Sequence, residues 1–262
     1  MTDMFRLDGR TIAVIGAGSG IGAACALAAA RQGATVACLD LQTAPAQATA
    51  DAIVNAGGHA DAFAVDVADA AATDAALLAV QQRHGRLDGV VCTPAINVRK
   101  KLLDYSEDEF DRVVRLNLKG SFNVVRASGR LMVGQGRGSI VLFSSIRSVS
   151  VEPGQSVYAM TKAGVVQLAR GAACELGASG VRVNVLAPGV VETPLTGPIR
   201  ANADWYNAYA KKSVLQRWAS PEEMAGPTVF LLSDAASFIT GTVIYADGGW
   251  LAIDGRFTPP GM

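Results

Sequence analysis

Thr11-Ile12-Ala13-Val14-Ile15-Gly16-Ala17-Gly18-Ser19-Gly20-Ile21-Gly22 decides how the rest of the chain is read. The apolar, β-branched run Thr11 to Ile15 predicts a strand, the glycines a tight turn, and the alanine-rich run Ala23 to Arg31 a helix. Glycines at 16, 20 and 22 let the backbone approach a phosphate closely, and the helix start behind them offers N–H donors and a positive dipole end to a pyrophosphate. A flexible glycine loop is the plain alternative. The strand before it and the helix after it favour a nucleotide site, with Ser19 and Ile21 in the same turn.

Downstream, a strand over Ala34 to Leu39 ends at Asp40, eighteen residues past Gly22. A dinucleotide fold places an acid there against the adenosine ribose hydroxyls. A carboxylate at that point repels a 2′-phosphate, and neither Leu41 nor Ser19 supplies a positive charge to accept one, so the expected cofactor is NAD rather than NADP. An ordinary turn or cap residue is the other reading of Asp40. The alternation then continues: helix Ala44 to Asn55, strand Ala60 to Val65, Asp66-Val67 as an edge for the adenine, helix Ala70 to His84, strand Gly89 to Thr93. Strands alternating with helices of this length imply an α/β fold, a single doubly wound parallel sheet of about seven strands with helices on both faces.

Ser106-Glu107-Asp108-Glu109 is a capping box, opening a helix with Phe110, Val113, Val114 and Leu116 on its inner face. Asn117 falls in that helix or at a bend in it, a position where asparagine is unfavourable unless its side chain satisfies something. A helical run Phe122 to Met132 leads to the strand Ser139 to Phe143, which delivers Ser144 and Ser145 at its carboxyl end, where ligands bind in open α/β sheets. Helix Gln155 to Leu176 carries Tyr158 and Lys162, four apart and so on one face. A phenol beside an ammonium is a tunable acid, since a fixed positive charge favours the phenolate. That spacing also arises by chance, and alone it decides nothing.

Strand Val181 to Leu186 exits through Ala187-Pro188-Gly189, and Val190 to Arg217 is expected as an excursion over the site with a short helix at Ala203 to Lys212, or as a surface helix pair with buried aromatics. Ser220-Pro221-Glu222-Glu223 reads as a second capping box, followed by helix Pro221 to Leu232, strand Thr242 to Ala246 and a Gly- and Pro-rich tail. No linker-like break appears, so residues 1–262 read as one domain with a substrate-covering excursion at about 190–217.

Lys plus Arg equals Asp plus Glu at 23 each, which removes the electrostatic case for a nucleic-acid or membrane-surface binder and leaves a small-molecule substrate or self-association. Cys25, Cys38, Cys92 and Cys174 fall in no ligand-like spacing, with only His59 and His84 to supplement them, so no metal is expected and the thiols are read as small packed hydrophobes in a cytoplasmic protein. The first nine residues lack the layout of a signal peptide, and no apolar run is long enough to suggest a membrane span.

With these pieces in place, the chain resembles the short-chain dehydrogenase/reductase family over roughly residues 7–250. The family's glycine motif stands as Gly16, Gly20 and Gly22, its Tyr-x-x-x-Lys as Tyr158 and Lys162, and its serine, thirteen residues before the tyrosine, as Ser145. Its middle-helix asparagine matches Asn117 and its post-strand Pro-Gly matches Pro188-Gly189. The resemblance implies hydride transfer between NAD and a secondary alcohol or its ketone. Tyr158 exchanges the proton, Ser145 holds the substrate oxygen, Lys162 lowers the tyrosine pKa and binds the nicotinamide ribose, and Asn117 holds a relay water. It also implies that Val191 and Thr193 meet the nicotinamide amide, and that the protein forms a homotetramer or dimer through the helices around Asn117 and Tyr158; the apolar, glycine-rich end, Thr240 to Gly261, reads as a second contact.

Two stretches depart from the family pattern. Ile15 stands where threonine usually precedes the first glycine, and Cys92-Thr93-Pro94-Ala95 where Asn-Asn-Ala-Gly is usual. Pro94 donates no N–H and restricts Thr93 to extended backbone, which leaves open the ribose contacts of that stretch and its bracing of the sheet. Competing functions are an NADPH-dependent 3-oxoacyl reductase, against which Asp40 argues, and a non-catalytic dinucleotide-binding protein, against which the complete tetrad argues. For the substrate, Arg147 with Arg99 hints at a carboxylate or other polar group, and Glu152, Gln155 and Trp205 are further pocket candidates; each is also readable as a solvated or packing residue.

Overall fold

A computed structural model describes residues 3–253. Seven strands, β1 (Thr11–Ile15), β2 (Thr35–Asp40), β3 (His59–Ala64), β4 (Gly89–Cys92), β5 (Gly138–Phe143), β6 (Val181–Pro188) and β7 (Val243–Ala246), form one sheet in the order β3-β2-β1-β4-β5-β6-β7. Every pairing is parallel. Central strands read as unbroken apolar runs because helices cover both faces, as in β1, where all five residues are buried.

The helices are α1 (Gly20–Arg31), α2 (Thr43–Asn55), α3 (Ala70–His84), α4 (Glu107–Val114), α5 (Ser121–Gln135), α6 (Ser156–Leu176), α7 (Gly197–Arg200), α8 (Ala203–Lys212) and α9 (Glu222–Leu232). On one face α1, α2 and α9 pack Cys25, Ala29, Ile53 and Val229 against Val14 and Val36. On the other, α3, α5 and α6 pack Leu77, Val124, Met132 and Val165 against Ile15, Val90 and Val183. Small residues bring α1 and α9 close to the sheet, which is why an alanine-rich chain still builds a dense core. A third, smaller cluster of Ile146, Ile199, Tyr209, Trp218 and Trp250 seats the excursion after β6 on the body.

The order in which strands are added reverses between β1 and β4, and this switch point opens a crevice at the carboxyl ends of the strands. Everything proposed for function lies along it.

Four local expectations change. Phe110 is 40% exposed rather than on the inner face, which only Val113 of α4 fully occupies. Between α4 and α5 the chain widens into a π-helical turn over Arg115–Gly120, so the two helical runs are continuous and Asn117 sits on the bulge. At α9 only half of a capping box forms: the Glu223 carboxylate accepts from the Ser220 N–H, but the Ser220 hydroxyl does not cap, because the first turn starts on Pro221 and the Glu223 N–H bonds the Ser220 carbonyl. The box at Ser106 and Glu109 forms in full. Finally, Cys174 is exposed on α6, whereas Cys25, Cys38 and Cys92 are buried as expected.

Candidate active site

Gly16 has φ +83°, and a Cβ there would run into the Thr93 hydroxyl; a Cβ on Gly22 would overlap the Gly16 carbonyl. Those two positions must be glycine for the turn to fold back on itself so tightly. The turn is pinned from β2 by the Leu39 carbonyl, which accepts from the Gly16 and Ala17 N–H groups at 2.8 and 3.0 Å. Ser19 precedes α1 without a capping side-chain bond, and the first turn of α1 carries no acid. Its N–H groups and dipole therefore remain free for an external anion.

Asp40 ends β2 and turns back to the loop: its Oδ2 accepts from the Gly18 N–H at 3.0 Å and its Oδ1 from the Gln42 N–H at 3.3 Å. Asp66 makes the same kind of local turn after β3, accepting from the Ala68 N–H at 2.9 Å, with Val67 buried beneath it. Thr93 follows β4 and bonds the Ile15 carbonyl twice, from its N–H at 3.1 Å and its hydroxyl at 2.9 Å. Bracing between β1 and β4 is thus present despite the departure at Cys92 to Ala95.

The end of β5 holds α6 by two successive residues, Phe143 and Ser144, and Ser145 closes the turn that follows. The Phe143 carbonyl accepts from Lys162 Nζ at 2.9 Å, the Ser144 hydroxyl donates to the Lys162 carbonyl at 2.7 Å, and Ser145 Oγ accepts from the Arg147 N–H at 3.1 Å. Because the Ser145 oxygen is already an acceptor, its proton is free to be donated. Asn117 is fully buried and does not line the crevice. Its Oδ1 accepts from the Ile96 N–H, and its Nδ2 donates to the Ile96 carbonyl and to Thr161 Oγ1 at 2.9 and 3.1 Å. Thr161 in turn donates to the Tyr158 carbonyl at 2.7 Å, so Asn117 ties the segment after β4 to the turn of α6 that bears the tyrosine. The π bulge satisfies the condition that a mid-helix asparagine imposes.

A cavity of about 460 Å³ runs along the crevice and is lined by Gly16, Ser19, Gly20, Ile21, Asp40, Asp66, Val67, Thr93, Ser145, Tyr158, Lys162, Pro188, Gly189, Val191 and Thr193. Among the described residues, Lys162 is the one basic side chain in its lining. A second cavity of about 290 Å³ adjoins it through Ser145, Tyr158 and Gly189, and is walled by Asn97, Arg99, Arg147, Gln155, Leu195, Thr196, Ile199 and Tyr209. Of the residues singled out for the substrate, Arg147 and Gln155 face this space. Trp205 does not; it is 38% exposed and lies under the Arg99 guanidinium at 5.1 Å, and Tyr209, one turn further along α8, takes the place at the wall.

The electrostatics differ from the expectation at Tyr158. Burial pushes its phenol above the ordinary value, against the downward pull of a hydrogen bond with Ser145 and of the Arg147 and Arg99 charges. Lys162 does not lower it: burial brings the ammonium down to about 8, and Nζ points at the Phe143 carbonyl, 5.7 Å from the centre of the tyrosine ring. Its Nζ hydrogen-bonds the Phe143 carbonyl and not the phenol oxygen.

The chain matches, over residues 16–251, the family model described as enoyl-(acyl carrier protein) reductase. It is 36% identical to the 3-oxoacyl-[acyl-carrier-protein] reductase of Thermotoga maritima, covering 93% of this chain and 98% of that protein. It belongs to the short-chain dehydrogenase/reductase family. As such it is an oxidoreductase that transfers hydride with a nicotinamide cofactor. The D-threitol dehydrogenase of Mycolicibacterium smegmatis is 38% identical over 94% of each chain. Among solved structures, a gluconate 5-dehydrogenase of Burkholderia cenocepacia in complex with NADP and tartrate superposes with a TM-score of 0.93, at 33% identity over 96% of this chain and 98% of that one.

The residues of this short-chain dehydrogenase/reductase fit a nicotinamide dinucleotide: an uncapped helix start and a glycine cradle lie at one end of the crevice, and a serine, a tyrosine and a lysine at the other. Several site residues carried no signal in the sequence. Thr161 and Asn97 act through neighbours far away in the chain, and the wall supplied by Leu195, Thr196 and Ile199 depends on how the segment after β6 folds back.

Proposed function

We propose that the chain is an NAD-dependent dehydrogenase of a secondary alcohol, or reductase of the corresponding ketone, with Tyr158 as the acid/base. The observation that carries this is the convergence of Ser145, Tyr158 and Lys162 on the crevice that begins at the Gly16 to Gly22 turn. When bound there, NAD supplies the acceptor for the hydride leaving the carbinol carbon. Tyr158 takes the hydroxyl proton in oxidation and returns it in reduction. Ser145, its oxygen held by the Arg147 N–H, donates its proton to the substrate oxygen and fixes it against the phenol. Lys162, released from the Phe143 carbonyl, is the cation available to hydrogen-bond the nicotinamide ribose and to draw the phenol down from its raised value. Asn117 is a positioning residue in this scheme, holding Ile96 and, through Thr161, the Tyr158 turn.

The choice of NAD rests on Asp40. Its carboxylate is held at the crevice by the Gly18 N–H, and the basic side chain nearest in the lining, Lys162, belongs to the opposite end. A 2′-phosphate set beside a half-buried carboxylate meets repulsion of about 2–4 kcal/mol, between the bulk-water and protein-surface values for charges in contact. NAD is accordingly expected to be favoured over NADP by about 100-fold in kcat/KM, with Asp40→Ala narrowing the gap; equal use of both by the unaltered protein refutes the assignment. The 3-oxoacyl reductase reading that the Thermotoga relative brings would pair with NADPH, which the same assay decides.

Self-association and location follow from the same reading. Self-association as a dimer or tetramer is supported by an apolar surface around α4, α5 and α6, where Leu103 is 96%, Phe110 40%, Phe122 47% and Met160 45% exposed. The second contact, Thr240 to Gly261, lies partly outside the described residues. A cytoplasmic location is supported by the absence of disulfides among the described cysteines. Among the described residues, no helix is long and apolar enough to cross a membrane.

A further inference from the structure

The 290 Å³ cavity beside Tyr158 is at the small end of the usual ligand-site range of roughly 300–1,000 Å³. Among the described residues its charged lining is Arg99 and Arg147, with no carboxylate. Behind the wall stands Glu152, and it is shared. Its Oε1 accepts from Arg99 Nη1 at 2.8 Å, from the Tyr209 hydroxyl and from Gln155 Nε2, while its Oε2 accepts from Arg147 Nη2 at 2.8 Å. Gln155 is itself held by Asn97 Nδ2 at 2.8 Å. One carboxylate therefore serves two guanidiniums, and no other acid among the described residues pairs with either.

Arg147 is 7% exposed, its guanidinium 5.4 Å from the Trp250 ring centre and 6.0 Å from that of Tyr209. Aromatic faces offset part of the desolvation of that charge, but a buried cation with half a counter-ion remains unfavourable unless a second anion arrives. Each guanidinium has five N–H donors in a fork that matches a carboxylate, and Glu152 engages one donor on each. Glu152 itself stays ionised: burial alone would raise its carboxyl, and the bonds from Tyr209 and Arg99 and the Arg147 charge hold it below the ordinary range.

We propose that the substrate is a small hydroxy acid, oxidised to the oxo acid, whose carboxylate binds to Arg147 and Arg99 in this cavity while its carbinol oxygen lies between Ser145 and Tyr158. Glu152 is a positioning residue that holds the two guanidiniums in place. The inference rests on the dehydrogenase reading of the same site. In the reaction, the carbinol C–H bond breaks with its electron pair leaving as hydride to NAD, the O–H proton passes to the Tyr158 oxygen, and the carbon–oxygen double bond forms; the carboxylate takes no part. Neutral alcohols and acyl thioesters lack the anion that the wall is short of.

The test pairs each acid with neutral counterparts: gluconate with sorbitol, and 3-hydroxybutyrate with 2-butanol and with the 3-hydroxybutyryl thioester of pantetheine. Turnover is measured with NAD, and binding by calorimetry in the presence of NADH. Charge-assisted bonds to an arginine pair correspond to about 10- to 100-fold, so at least one acid should exceed its neutral counterpart by that factor in kcat/KM. Arg99→Gln should remove about 10-fold of the preference through KM, with kcat little changed. Arg147→Lys keeps the buried charge beside Glu152 and loses the fork; with an unchanged melting temperature it should weaken acid binding by a similar factor. Neutral substrates used as well as the acids, or a preferred thioester, overturn the acid assignment and leave the dehydrogenase reading standing. Acid binding that depends on Arg147, without turnover of any substrate, sustains the substrate class and defeats the assignment of Tyr158 as acid/base.

Discussion

Lys162 is expected to cost stability at neutral pH and to repay it as the pH rises, and Lys162→Met isolates that effect. Burial brings the folded-state value from 10.5 to about 8. At about pH 7 the side chain is protonated in both states, and the difference of about 2.5 units corresponds to a penalty on the folded state of roughly 3 kcal/mol. Above 8 the folded lysine releases its proton while the unfolded chain still binds one, so stability rises with pH until about 10.5, where the penalty is gone. At about pH 9.5 roughly 2 kcal/mol of it has been relieved. The bond from Nζ to the Phe143 carbonyl opposes this, at about 1–2 kcal/mol, and the neutral amine keeps it as a weaker donor, which trims the gain with pH without cancelling it. Methionine removes both. The variant should therefore be about as stable as the parent or up to ~2 kcal/mol more stable near pH 7, and should lose about 2 kcal/mol relative to the parent by pH 9.5. Urea titrations of the two proteins in parallel at each pH read the difference directly. A difference that stays constant across that interval refutes the claim that Lys162 is a charge held at a cost. Loss of turnover in the same variant is what links that cost to function.

Two other substitutions test the frame around the site. Asn117→Leu keeps the branched shape but strips the Ile96 N–H, the Ile96 carbonyl and Thr161 of their partner, so a loss of about 2–4 kcal/mol in thermal or urea unfolding is expected, with kcat falling more than the NADH affinity. Unchanged stability would show that water replaces the side chain without cost. Gly22→Ala places a methyl against the Gly16 carbonyl, and NADH fluorescence titration should show binding weakened by about 100-fold in whatever fraction folds; a well-folded variant with unaltered affinity contradicts the packing described for the turn.

The sheet and the glycine turn are legible because parallel strands covered on both faces tend to be continuous apolar runs, and Ile12 to Ile15, Val36 to Leu39 and Ile140 to Phe143 are such runs. Asp40 and Ser145 were legible because strand ends fix them. The state of Tyr158 was not. Its pKa is set by burial and by two arginines from other parts of the chain, whereas helical spacing pointed to Lys162 alone. Phe110 was placed inward on helical periodicity, but α4 lies on a rim where Leu102, Tyr105 and Met160 form an open groove. The hub at Glu152 joins residues 97, 99, 147, 155 and 209, and no periodicity brings those five together.

The stretch Cys92 to Ala95 shows how a motif can lose its letters and keep its position. Pro94 has no N–H to give, and a sequence comparison counts that as a missing brace. The residues on either side carry the load: Thr93 bonds the Ile15 carbonyl with both its N–H and its hydroxyl, and Ile96 is held through its N–H and carbonyl by Asn117. With both flanks fixed, the proline needs no donor, and its restricted φ lowers the entropy lost when the segment is ordered. The Thr93 hydroxyl occupies the space a Cβ at Gly16 would need, and the Pro94 ring lies 3.3 Å from the same point. Gly16 is therefore required by the altered motif itself as well as by any phosphate, and a side chain at residue 16 should disturb the β1–β4 junction even before a cofactor is added.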